Sequence, residues 1–304
     1  MSNIERTHLD VGGYYDQQLG MAQATGAGMI WFMGRDHLSP PLSNIDEFAL
    51  HPERWRDASS MRVVGLAERM GIASGDVVLD LGCGVGGPAR DVAEATGASV
   101  IGLSISIAQL GNYRNLSAEA GSDASAVVMA NMEQLPVADG SVDHAYSINA
   151  IYHVSHPDRV IQEASRALRP GGIFGVDDWF TTASTTPAEL AQLRYNWSTS
   201  ENGFHNIDRF TQAMGAAGLA VREVIDFTQE AGAFLSEGRF GAVYDEKMAP
   251  VLLDAFPQLY RYDGYEPVHA EMAVAQLRSD ILYMGELYRG GDAVYQQLIG
   301  EKVQ

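Results

Sequence analysis

The stretch that most constrains this chain begins at residue 77. Val77 to Leu81 is a short apolar run that passes directly into Gly82, Cys83, Gly84, Val85, Gly86 and Gly87, and an alanine-bearing segment with helical character, Pro88 to Thr96, follows. A strand that ends in glycines and feeds a helix is the opening of a βαβ unit. Its glycines let the backbone approach a ligand more closely than any Cβ would allow.

The same grammar continues along the chain. Apolar runs at Ser99 to Leu103, Ala126 to Ala130, Val142 to Ile148 and Gly172 to Asp177 predict strands, separated by predicted helices over Ile107 to Ala120 and Pro157 to Leu168. A further helix over Ile207 to Ala217, a strand over Ala220 to Phe227 and a final antiparallel strand within 291–304, at Ala293 to Val303, complete the pattern. Strands alternating with helices imply an α/β fold with a doubly wound, mostly parallel, seven-stranded sheet. Residues 1–57 are rich in aromatic, glycine and proline breakers and are expected to form a helical cap. The core is expected over 58–228, with a first lid segment near 181–205 that holds a helix at Ala188 to Tyr195, and 229–290 is expected to be a mostly helical second lid.

Charge and cysteine content narrow the function. With 39 acidic against 20 basic side chains in 304 residues, a formal charge of −19 is unfavourable for a phosphate backbone, so a small molecule is expected rather than nucleic acid. Cys83 is the single cysteine, which excludes an intrachain disulfide framework and a cysteine-rich zinc site and suits a reducing compartment. The absence of a long apolar run predicts no membrane span, and a cytoplasmic location is expected. The sequence neither requires nor excludes a homo-oligomer.

Gly82, Gly84 and Gly87 satisfy the dinucleotide spacing GxGxxG. The preceding Asp80 would repel a pyrophosphate, and the Gly102 to Ser106 stretch lacks the carboxylate that a nicotinamide enzyme places on the ribose. The same Asp80 would favour a ligand bearing an ammonium group. An NAD-dependent oxidoreductase and a non-catalytic nucleotide-binding module remain the alternatives, to be separated by cofactor turnover and by thermal shift with NAD.

The stretch VLDLGCGVGGPARDVAEATGASVIGLSISIAQL, Val78 to Leu110, resembles the motif region of class I S-adenosylmethionine-dependent methyltransferases of the sterol C24 and tocopherol type and their bacterial natural-product relatives. Leu135 and Pro136 before Asp143, the segment INAIYHV at Ile148 to Val154, and LRPGG at Leu168 to Gly172 extend the likeness. It is weak in the cap and almost absent over Gln229 to Arg289.

This resemblance implies a Rossmann-like methyltransferase with S-adenosylmethionine as cofactor and no metal. It implies that Asp80, Gly82, Gly84, Ile148 and Asn149 surround the methionine part, Ser104 and Gln109 the ribose, and Asn131 and Met132 the adenine, with Cys83, Glu133 and His153 also at the cofactor. His153 falls where relatives often carry a histidine near the reactive methyl, which makes it the candidate proton acceptor, with packing against backbone as the competing role.

Tyr14, Tyr15, Trp31 and Phe32 from the cap, with Asp178, Trp179 and Phe180 after the fifth strand, are the expected substrate pocket, Trp179 as a wall. Cys83 is expected to be packed and inert, and His156, before Pro157, to be a turn residue. Tyr260, Tyr262 and Tyr265 suit either a pocket rim or an oligomer contact. The resemblance favours C-methylation of an isoprenoid or prenylated metabolite such as an indole terpenoid, with rearrangement or cyclisation of the resulting cation as an option. O- or N-methylation of a small aromatic or polyketide metabolite is the alternative.

Overall fold

The computed structural model describes residues 55–119, 125–197, 202–250, 253 and 267–303. The expected cap residues Tyr14, Tyr15, Trp31 and Phe32, and the Tyr260 to Tyr265 cluster, lie outside them.

The described chain opens with helix α1 (Trp55–Met70), followed by β1 (Val77–Leu81), α2 (Gly87–Thr96), β2 (Ser99–Ser104), α3 (Ile107–Glu119), β3 (Ser125–Met129) and β4 (Val142–Ile148). A 3₁₀ turn (Ile151–His153), α4 (Pro157–Ala167), β5 (Leu168–Thr181), α5 (Pro187–Trp197), β6 (His205–Asn206), α6 (Ile207–Ala216) and β7 (Leu219–Asp226) come next. After α7 (Thr228–Phe234) and two π-helical turns (Glu237–Gly241 and Tyr244–Met248), the long α8 (Pro267–Gly290) leads into β8 (Ala293–Lys302).

The sheet order is β3-β2-β1-β4-β5-β8-β7, with the two-residue β6 beside β5, and β8 runs antiparallel to both β5 and β7. The expected doubly wound α/β fold is therefore present. Strand order reverses at β1, whose neighbours are β2 on one side and β4 on the other. In an open parallel sheet that reversal leaves a crevice at the carboxyl ends of the two central strands.

Two buried clusters coat the sheet. On one face, Val63, Leu66, Ala67 and Met70 of α1, at helical spacing, pack with Val92 of α2, Val78, Tyr146 and Ile173. On the other, Val160 and Ala164 of α4 and Phe210 and Met214 of α6 cover Leu79, Ala145, Phe174 and Val176. Helix α1 crosses β5 closely enough that a Cβ on Gly175 would stand 2.5 Å from Met70 Sδ. A third cluster joins Tyr152, Trp179 and Phe204 to α7, the π turns, α8 and Tyr295. The segment expected as a second lid thus shares its apolar core with the carboxyl ends of the strands.

β5 is longer than the predicted Gly172 to Asp177. Its antiparallel partner β8 pairs with it from Ile173 to Thr181, which carries the strand on through Asp178, Trp179 and Phe180. Alternation then sends Asp177 and Trp179 to one face and Asp178 and Phe180 to the other. Phe180, expected beside Trp179, packs instead in the core with its ring centroid 5.1 Å from that of Phe210.

Candidate active site

The crevice floor is the β1 turn. Gly82 N and Cys83 N both donate to Leu103 O at 3.0 Å, tying the turn to β2, and Gly86 N donates to Cys83 O at 2.9 Å. Gly82 adopts φ +88°, a left-handed conformation that disfavours side chains, and a Cβ there would meet Ala150 Cβ at 2.5 Å and Met132 Cε at 3.2 Å. The tip of β4 and the loop after β3 therefore close on this glycine. Cys83 is buried against Gly102, and burial pushes its thiol well above the ordinary range, a state unsuited to nucleophilic work.

Asp80 is the central charge. It is 2% exposed, and burial raises its pKa to about 7. The Tyr146 side chain, cross-strand from it, partly offsets that shift, yet neither Tyr146 Oη nor Asp80 Oδ2 completes a hydrogen bond of good geometry. A buried carboxylate oxygen without a donor is costly unless something supplies one. A ligand ammonium group at the glycine cradle would do so.

Beyond β4, Asn149 takes φ +48°, and its backbone N–H donates to Asp177 O at 2.8 Å. Its Nδ2 donates to Tyr295 Oη at 3.3 Å, leaving Oδ1 buried and without a donor. Strained backbone of this kind persists only where its surroundings enforce it. The following 3₁₀ turn is bracketed from two sides: Asp178 Oδ2 accepts from Ile151 N at 2.8 Å and Tyr152 N at 3.2 Å, and His205 Nε2 lies 3.1 Å from Ile151 O.

Asp178 Oδ1 accepts from Trp179 N at 2.8 Å. Fully buried and committed to backbone donors, Asp178 organises the turn rather than lining an open pocket. Burial still pushes its carboxyl up to about 7, against those N–H groups.

His153 closes the turn. It is buried, its ring centroid lies 3.9 Å from that of Tyr152, and burial drives its pKa down to about 3, so the imidazole is neutral. Tyr152 in turn stacks on Trp179 at 5.1 Å and 8° between planes, with Phe204 at 5.2 Å from Tyr152 and 6.1 Å from Trp179. Phe204, another positive-φ residue, is buried, and its backbone N–H donates to Tyr152 O at 3.0 Å, which holds it against this cluster.

Along the edge toward β3, Ser104 Oγ donates to Gln109 Oε1 at 2.8 Å and accepts from Ser106 N at 3.1 Å. The two expected ribose residues thus form one buried unit. Asn131 is exposed, and its Oδ1 accepts from Glu133 N at 2.9 Å; a carbonyl has a second lone pair, so the amide keeps acceptor capacity for an adenine amino group. Glu133 Oε2 faces Arg159 Nη1 at 4.0 Å, and Met132 lies against the glycine cradle. Ile148 is buried at the strand end.

Asp80, Gly82, Cys83, Met132, Asn149 and, through their strand ends, Ile148 and Ser104 are thus brought to one crevice. Sequence reasoning missed Tyr146 and Tyr295. Tyr146 is signalled only by its register opposite Asp80, and Tyr295 only by tertiary contact. No group of three or more metal-ligating side chains occurs among the described residues, so Asp177 and Asp178 do not form part of one there.

Known proteins place this arrangement in a family. The Methyltransf_11 family model, a methyltransferase domain, matches residues 79–176. The sterol 24-C-methyltransferase ERG6B of Gibberella zeae is 32% identical over 240 residues, covering 77% of this chain and 56% of its own length. The methyltransferase GfsG of Streptomyces halstedii is 31% identical over 238 residues, 75% of this chain and 81% of its own. In structure, a geranyl diphosphate methyltransferase in complex with GPP and sinefungin shares the fold, with a TM-score of 0.66 at 20% identity over 83% of this chain and 80% of that one. The carboxylate, the glycine cradle and the family match agree that the chain belongs to the class I S-adenosylmethionine-dependent methyltransferases.

Proposed function

We propose that the protein transfers a methyl group to an alkene carbon of a small, largely apolar isoprenoid or prenylated metabolite. When bound, S-adenosylmethionine supplies the electrophilic methyl carbon. Asp80 and Asn149 are the residues suited to its ammonium group, Ser104 and Gln109 to the ribose, and Asn131, Met132 and Glu133 to the adenine. The remaining task of the chain is to align the acceptor and exclude water.

The observation that carries this reading is the pairing of a weak base with aromatic faces at His153, Tyr152, Trp179 and Phe204. Burial holds His153 well below the ordinary imidazole range, at about 3, which makes it a poor base for a hydroxyl proton. A carbon chain that has gained a methyl and become cationic releases an adjacent C–H proton far more readily, so a weak base suffices, and aromatic faces stabilise the cation meanwhile. If no proton is lost at once, the same cation can rearrange or cyclise. The sterol relative acts on carbon by name, which supports the choice. A single free cysteine, buried, suits the reducing cytoplasm as the place of this work.

The test is incubation with S-adenosylmethionine bearing a ¹³C methyl and a panel of prenylated indoles, sterols, tocopherol precursors and simple phenols, with the new methyl located by NMR. A carbon-bound methyl on an alkene-bearing acceptor is expected, with His153→Ala losing turnover but not affinity for S-adenosylhomocysteine. Methylation at oxygen or nitrogen alone would overturn the carbon assignment in favour of a hydroxyl- or amine-directed enzyme.

A further inference from the structure

A polar chain runs behind Asn149 through the buried interior. Asp177 Oδ2 lies 3.3 Å from Arg62 Nε and accepts from Gln297 Nε2 at 2.6 Å, while Asp177 Oδ1 accepts from the Tyr295 hydroxyl. Arg62, Asp177, Tyr295 and Gln297 are each no more than 4% exposed, and the Arg62 guanidinium also sits 5.2 Å from the Tyr295 ring centroid. The components come from α1, β5 and β8, brought together because α1 crosses β5 at Gly175 and because Gln297 is cross-strand from Asp177.

The direction of the hydrogen bonds is determined at every link. A carboxylate only accepts, so the Tyr295 hydroxyl must spend its proton on Asp177. Its remaining lone pairs can only accept, so the Asn149 amide must turn its NH₂ toward Tyr295. The amide oxygen is thereby the atom left over, and it is the one buried without a donor. The Asn149–Ala150 turn packs on the Gly82 backbone, two residues along from Asp80, whose Oδ2 lacks a well-formed hydrogen bond.

We infer that Tyr295, held by Asp177 with Arg62 and Gln297 behind it, is a positioning residue that locks the Asn149 side chain with its oxygen toward the ligand. The cofactor's amino-acid end then meets two acceptors, Asp80 and Asn149, and never an amide NH₂ that would repel its ammonium group. Without the Tyr295 hydroxyl the amide is free to present either edge. This inference rests on the assignment of the Asp80 crevice to S-adenosylmethionine.

The experiment is isothermal calorimetry with S-adenosylhomocysteine and with 5′-methylthioadenosine, which has the nucleoside but no amino-acid end. Tyr295→Phe should weaken S-adenosylhomocysteine about tenfold, the scale of one oriented hydrogen bond to a charged group, and leave 5′-methylthioadenosine unchanged. Adding Asn149→Asp to Tyr295→Phe should restore affinity, because a carboxylate presents an acceptor whichever way it turns, and Asp tolerates the left-handed backbone at this position.

Should Tyr295→Phe fold poorly by thermal melt, Asn149→Gly, which the left-handed backbone tolerates and which removes the amide, decides: a loss of affinity for S-adenosylhomocysteine with 5′-methylthioadenosine unchanged supports the inference, and unchanged binding of both overturns it. Unchanged binding in Tyr295→Phe, equal weakening of both ligands, or no rescue in the double variant overturns the positioning role while leaving the cofactor assignment intact. Failure of the parent to bind S-adenosylhomocysteine overturns both.

Discussion

Asp80 destabilises the ligand-free protein when it is charged. Its carboxyl is raised from 3.8 to about 7 by burial, so between those values the folded chain holds a proton that the unfolded chain has released. Stability from this group is complete below about pH 4 and is lost as pH rises through about 7. Asp178 titrates in the same direction, so the difference between parent and variant isolates Asp80. In chemical denaturation without ligand, Asp80→Asn should gain on the parent by roughly 2–4 kcal/mol between pH 5 and pH 8, the scale set by 1.36 kcal/mol per unit. A constant difference across that range would contradict the burial argument. Asp80 and its glycines were legible in the sequence because their chemistry is local, a carboxylate and a tight turn within a few residues. Tyr295 was not, since it lies 146 residues from Asn149 and looks like any strand aromatic until the sheet is assembled.

The elements owe their precision to contacts between them. Strands β1 and β4 and helices α2 and α4 follow from apolar periodicity and emerge within a residue or two of expectation. β5 does not, because its length is set by β8 across the sheet rather than by its own sequence. The same pairing explains why Trp179 joins Tyr152 while Phe180 joins Phe210, a separation that adjacency in sequence hides. Helices α7 and α8 meet at Gly285, where an added Cβ would stand 1.9 Å from Leu235 O. That contact is with backbone, which cannot turn aside as a flexible side chain can. Gly285→Ala should therefore destabilise the protein by about 1–3 kcal/mol despite the higher helix propensity of alanine. Thermal and denaturant melts check this, and a stabilised variant would mean that the two helices pack less tightly than described.

At the scale of the molecule, sheet order is what turns scattered residues into a site. The reversal at β1 opens the crevice, α1 brings Arg62 beneath it, and the final strand inserts between β5 and β7 to deliver Tyr295 and Gln297. The fold class was legible from the alternation of strands and helices, and the cofactor from the resemblance carried by residues 78–110 and the later motifs. The acceptor was not, because the resemblance fades over Gln229 to Arg289, where α7, the π turns and α8 build the apolar cluster shared with Tyr152 and Trp179. The central claim is that the buried Asp80 carboxylate at this crevice, with one oxygen lacking a well-formed hydrogen bond, awaits a cationic ligand. Titration calorimetry of S-adenosylhomocysteine from pH 6 to pH 7.5 tests it most directly. The account predicts affinity falling roughly tenfold toward pH 6 as Asp80 takes up a proton, with Asp80→Asn binding weakly at every pH. Affinity that stays level across this range, or Asp80→Asn binding as tightly as the parent, would contradict it.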